Sequence, residues 1–241
     1  MTRQALTTVL RKELRQYSAT GMPYLVVAGF LVPAAVWFVW FYDFLGTDLA
    51  SLRGYFAAFP VLYVVILPAL TMRTWVEERR TGTLELLRSA PLSDRAIVLG
   101  KFAAVMCVVL CMLLLTAAVP LSVMRLGAFD FVAIAAEYIG AVLLAAASVA
   151  VAMAVSCRMR SQVSAYLGGL LVLLVLNAVH QLPLFVNLPG WPAEILRSVS
   201  LEHQFRGFAR GVVDTGSVGY YLTLTAAMLY LAELRLARAE E

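Results

Sequence analysis

Residues 97–123 read IVLGKFAAVMCVVLCMLLLTAAVPLSV, and residues 131–155 read FVAIAAEYIGAVLLAAASVAVAMAV. The first run carries a single charge, Lys101, and the second a single charge, Glu137. A helix of about 20 apolar residues crosses the hydrocarbon of a bilayer, and a backbone in lipid must satisfy its own hydrogen bonds, so both runs are read as spanning helices. Working outward, similar runs at 22–42, 55–74, 163–186 and 217–236 raise the expectation to six spans in one membrane domain over residues 1–241. Pro120 is expected to kink or end the third span. Ser93 is placed to cap it, with Asp94 in its first turn.

The composition agrees. Apolar residues make up 62% of the 241-residue chain and charged residues 14%, against about 25% charged in a soluble domain. The formal net charge of +4 does not point to nucleic acid, because the basic residues sit in short links between apolar runs. Their distribution sets an orientation. Arg3, Arg11, Lys12 and Arg15 precede the first span; Arg73, Arg79, Arg80, Arg88, Arg95 and Lys101 surround the second link; Arg158 and Arg160 occupy the fourth; Arg235 and Arg238 lie near the C-terminus. The other links hold only Arg53, Arg125, Arg197, Arg206 and Arg210. Both termini are therefore expected in the cytoplasm. The first apolar run is longer than a signal-peptide core and is followed by more spans, so no cleavable signal is expected.

Residues 2–17 repeat Leu6, Val9, Leu10, Leu14 and Tyr17 at helical spacing, with Arg3, Arg11, Lys12 and Arg15 beside them. This is the pattern of an interfacial helix in contact with membrane lipid. Residues 187–216, interrupted by Pro189 and Pro192 but partly apolar, are expected to form short outer or re-entrant helices. Residues 75–95 are the principal charged link. They read either as a solvated hairpin or as a docking element, with a short helix expected over 77–88, a weak point at Gly82 and an ion pair between Glu77 and Arg80.

Several residues have competing readings. Glu137 interrupts an apolar run and is either structural or part of a transport pathway. Ala145, Ala146, Ala147, Ser148, Ala150, Ala152 and Ala154, with Gly168 and Gly169, permit close helix approach, inside the chain or at a dimer seam. Trp37, Trp40, Phe41 and Tyr42 read as an aromatic belt. The three cysteines, Cys107, Cys111 and Cys157, form no closed disulfide framework, and Cys107 and Cys111, four apart in an apolar run, read as packing residues. His180 and His203 lack the companions a zinc site needs, so no metal is expected and a membrane enzyme is disfavoured. Gly100-Lys101 is followed by Phe102 rather than Ser or Thr, which makes it no phosphate loop. Lys101 is expected to snorkel toward the cytoplasmic surface.

The stretch LTMRTWVEERRTGTLELLRSAPLSDRAIVLGKF, residues 70–102, resembles the coupling region of permease subunits from ABC-2 type transporters. The gliding-motility permeases are the nearest relatives by this resemblance and the copper-associated nitrous-oxide accessory permeases a looser one; LEHQFRGFARG, residues 201–211, resembles the segment before their last helix. The resemblance implies an all-α integral membrane fold of ABC-2 (type V exporter-like) topology in the bacterial cytoplasmic membrane. It places Glu77, Glu78, Arg79, Arg80, Gly82, Thr83 and Glu85 at the interface with a cytoplasmic ABC ATPase dimer. ATP and Mg would belong to that partner, and this chain would hold no cofactor. A second copy or a related permease, one with a large extracytoplasmic domain among the options, would complete the pathway. Export is the implied activity, mechanotransmission to envelope partners the alternative, and a secondary transporter a more distant one.

Overall fold

The structure, a computed structural model, describes residues 2–41, 52–82, 93–123, 130–183 and 190–237, and within these it leaves the side chains of residues 2–6, 41 and 123 undescribed. Every regular element among the described residues is a helix. In chain order these are α1 (Thr2–Ala19), α2 (Met22–Val36, continued as a π-helix over Trp37–Phe41), α3 (Arg53–Ala57), α4 (Phe59–Thr71), α5 (Arg73–Arg80), α6 (Asp94–Thr116), α7 (Ala118–Val123), α8 (Phe131–Ser156), α9 (Gln162–Ala178, then a 3-10 turn over Val179–Gln181), α10 (Trp191–Val199), α11 (Leu201–Phe208) and α12 (Thr215–Ala237). Among the described residues, five helical stretches are long and apolar enough to cross a membrane: Met22–Trp40, Phe59–Arg80, Asp94–Ser122, Phe131–Ser156 and Gln162–Gln181. α12 is 23 residues long, but Glu233, Arg235 and its threonines and tyrosines dilute its apolar character below theirs.

Prolines and caps explain the boundaries. Ser93 Oγ accepts from the Ala96 amide at 3.3 Å and Asp94 occupies the first turn, so α6 starts three residues before the apolar run. Pro120 has no amide to donate to Thr116, and the helix breaks at Ala117, one turn before it. Asp130 caps α8 through the Val132 and Ala133 amides. The second apolar run is not one helix from residue 55: it divides at Ala58, two residues before Pro60, and its long helical stretch extends through Arg80. In the expected 77–88 helix, α5 ends at Arg80 because Gly82 turns left-handed at φ 68°, a conformation open to glycine. Residues 83–88 of that expectation lie outside the described residues.

α8 is the axis of the bundle. It packs against α4, α6, α9, α11 and α12, and Ala145, Ala147, Ser148, Ala150, Ala152 and Ala154 are all buried by this one chain. The small-residue stripe therefore serves internal packing. In hydrocarbon, helices gain little by hiding apolar surface from each other and associate by close van der Waals fit. The fit is tight at two crossings: a Cβ on Gly169 would stand 3.2 Å from Pro68 and 3.7 Å from Ala152, joining α9, α4 and α8, and one on Gly140 would stand 2.6 Å from Phe208 of α11.

The helix ends sort into two groups. At one end, the α5 end, side chains of α1, α5, the start of α6, the end of α8, the start of α9 and the end of α12 meet. At the other, α10 and α11 close over the end of α9, the start of α8 and the start of α12. Trp40, at the end of the π-helix, is 82% exposed. Phe41 and Tyr42 of the expected belt fall outside the described side chains.

Candidate functional site at the end of α5

α5 has two faces. Thr74, Trp75, Val76 and Glu78 are buried, Glu77 is half-buried, and Arg79 and Arg80 are exposed. On the buried face lies an ionic cluster joining three helices. Lys101 of α6 donates from Nζ to Glu13 Oε1 of α1 at 2.9 Å and to the Thr74 carbonyl of α5 at 2.8 Å. The same ammonium stands 3.0 Å from Glu78 Oε2, outside hydrogen-bonding geometry and hence a purely electrostatic contact, and 5.2 Å from the Trp75 ring centroid. Lys12 of α1 reaches the other oxygen of Glu78 at 3.1 Å.

Lys101 does not snorkel. Its side chain is 1% exposed, because two carboxylates, a carbonyl and an indole face take over from water around the ammonium. Glu13 is the partner that sequence reasoning missed. It falls four residues from Val9 and four from Tyr17, which puts a carboxylate on the stripe of α1 turned toward the protein. That register was the available signal. Tyr17 extends the contact by donating to the Leu70 carbonyl at 3.1 Å, and burial first, then the Glu13 carboxylate, hold its phenol protonated well above the ordinary range against the pull of Arg73.

The remaining α5 groups point to neighbouring helix ends. Arg79 donates from Nη2 to the Cys157 carbonyl at the C-cap of α8, where unpaired carbonyls favour a cation. Glu77 Oε2 accepts from Gln162 Nε2 of α9 at 2.9 Å, so its bond is to another helix and not to Arg80. Burial pushes the Cys157 thiol up to about 12 against the pull of Arg79 and Lys101, leaving it an unreactive packing group. Of the seven residues the coupling resemblance selects, Glu77, Glu78, Arg79, Arg80 and Gly82 gather around α5, with Glu78 turned inward; Thr83 and Glu85 lie outside the described residues. Glu137 is far along α8 from this group and is buried.

A second polar network closes the opposite end. His180 Nε2 lies 2.9 Å from Arg206 Nη2, and a guanidinium can only donate, so Nε2 accepts and the ring hydrogen sits on Nδ1. Nδ1 lies 2.8 Å from the Asn177 carbonyl and 3.0 Å from Ser200 Oγ. Ser200 Oγ donates to the same carbonyl at 2.9 Å and accepts from the His203 amide as the cap of α11. Glu202 accepts from Arg206 at 3.1 Å. Protein groups thus hold both nitrogens of His180, and no group of three or more metal-binding side chains forms among the described residues.

A family model described as ABC-2 family transporter protein matches residues 23–231. The chain belongs to this family: it is a multi-pass membrane permease subunit of an ABC transporter, a transport component of a generally non-catalytic kind, and the family implies association with an ABC ATPase. No curated protein matches its sequence.

Proposed function

We propose that this chain is the membrane half of an ATP-driven exporter in the bacterial cytoplasmic membrane, with α12 as a sixth span and both termini cytoplasmic. Arg80, Glu77 and Arg79, with Thr83 and Glu85 beyond them, meet a separate ATPase dimer that supplies ATP and Mg; a second copy or a related permease completes the pathway. The observation that carries this reading is the two-faced α5: its exposed side offers charges to a partner, while its buried side is tied through Glu78, Thr74 and Lys101 to α6 and through Glu13 to α1. Motion imposed on α5 is thereby delivered to a spanning helix without passing through a flexible loop. Such coupling shifts the population of two arrangements of the bundle and needs no covalent chemistry in this chain. Glu78 acts in this scheme as the inward anchor of α5, and the resemblance of residues 70–102 to gliding-motility permeases is the basis for placing the chain near them.

The test is purification of the tagged chain from its native membrane in mild detergent, with mass identification of stoichiometric partners. An ABC ATPase is expected, and Arg80→Glu is expected to lower its recovery about tenfold, the scale of one interfacial charge reversal. An intact chain that yields no ATPase, even after crosslinking before extraction, would overturn the reading.

A further inference from the structure

A groove of about 450 Å³ runs between α1, the first half of α2 and the outward face of α6. Leu14 and Ser18, Val27 and Leu31, and Cys111 and Leu115 line its three walls. Cys111 and Leu115 are exposed, so the groove opens away from the bundle, onto the surface that faces lipid in a chain of this class. Water entering it would find few polar partners, whereas hydrocarbon would find contacts on three sides. From Cys107 to Leu115 the α6 wall rises about 12 Å, a length suited to part of one acyl chain.

The end of the groove at α1 is different. Arg11 and Arg15, both exposed, lie one helical turn along α1 before the groove residues Leu14 and Ser18. Lys12, on the next edge, is already engaged by Glu78. An apolar trench leading to two exposed guanidinium groups has the polarity of a phospholipid, with a tail inside and a phosphate at the mouth. A second copy of the chain fits less well: a two-fold contact sets this face against itself, and none of the residues lining the groove is a carboxylate that could meet Arg11 and Arg15 of the other copy.

We propose that this groove binds one anionic phospholipid, its acyl chain lying along α2 and α6 and its phosphate held by Arg11 and Arg15. The bound lipid braces α1 beside the Glu13–Lys101 contact, whether or not an ATPase is attached. The test is native mass spectrometry of the chain extracted from vesicles of phosphatidylglycerol and phosphatidylcholine mixed one to four, with alkylation of Cys111 as a second readout. The wild-type chain is expected to retain phosphatidylglycerol selectively. Ala28→Trp, a change at an exposed position in the groove, is expected to reduce retention of both lipids about tenfold, and Arg11→Gln with Arg15→Gln to abolish the selectivity while leaving a lipid bound. Cys111 is expected to react more slowly in these vesicles than in detergent. Full retention in the Ala28→Trp chain, unchanged selectivity in the arginine double variant, or Cys111 crosslinking efficiently to its counterpart in a second copy would each overturn the proposal.

Discussion

The two ends of the bundle are held by opposite kinds of chemistry. At the α5 end, formal charges lie buried and are balanced by one another: Lys101 against Glu13 and Glu78, with Lys12 completing the set. At the α10–α11 end the buried side chains of the network are His180 and Ser200, both bonded to the Asn177 backbone carbonyl, while Arg206 and Glu202 stay closer to solvent. Buried ion clusters add little net stability over apolar packing, but losing one member leaves an unbalanced charge. They therefore fix which helices move together. A neutral network costs less to disturb and serves to fasten one helix end.

This contrast is tested most severely by Lys101→Met. Two carboxylates would stay buried with only Lys12 near them, and a loss of about 3 kcal/mol or more is expected, read as a large fall in detergent thermal stability. Glu78→Gln in the Lys101→Met background should recover part of that loss; strictly additive effects would show the two groups to be independent. At the other end, His180→Phe should cost about 1–3 kcal/mol, because it leaves Ser200 and Arg206 without the ring nitrogens. If it costs as much as Lys101→Met, the contrast between the ends fails. Arg95 and Glu233 join α6 to α12 at 2.9 Å on the surface of the α5 end, and Arg95→Ala is expected to cost less than about 1 kcal/mol.

The smallest effect concerns pH. Burial first, then Arg206, His180, Arg197 and Arg210, hold the His203 pKa below its ordinary 6.5. The unfolded chain thus binds more protons than the folded one between the lowered value and 6.5, so stability rises with pH across that window and is lost as pH falls through it. His203→Gln should flatten this slope in a thermal unfolding series. An unchanged slope would assign it to another group.

Much of the fold was legible because the bilayer leaves few alternatives. A run such as 131–155 has to be helical, and the observed helix over Phe131–Ser156 departs from it by a single residue. The short helices over residues 191–208 were legible for the same reason, from prolines set in partly apolar sequence. The α3–α4 break was less so, since Tyr55 and Phe56 are as apolar as the residues of α4 and only Pro60 hints at an interruption. The candidate site was legible in its charges and not in their directions. Glu77, Glu78, Arg79 and Arg80 look alike as a run, yet Glu78 is an inward anchor, Glu77 and Arg79 link to other helix ends, and Arg80 is exposed on the outer face. Those directions depend on partners far along the chain, Gln162 for Glu77 at 85 residues, Cys157 for Arg79 at 78 and Lys12 for Glu78 at 66, and no local pattern carries pairings of that range.

The most direct measurement is crosslinking from each end in native membranes, using Arg80→Cys and, separately, Trp191→Cys, both in a Cys111→Ala background, with mass identification of the adducts. The account predicts that an ABC ATPase is captured through position 80 and not through position 191. Capture of the ATPase through position 191, or of no ATPase through position 80 in a chain that still supports transporter assembly, would contradict it.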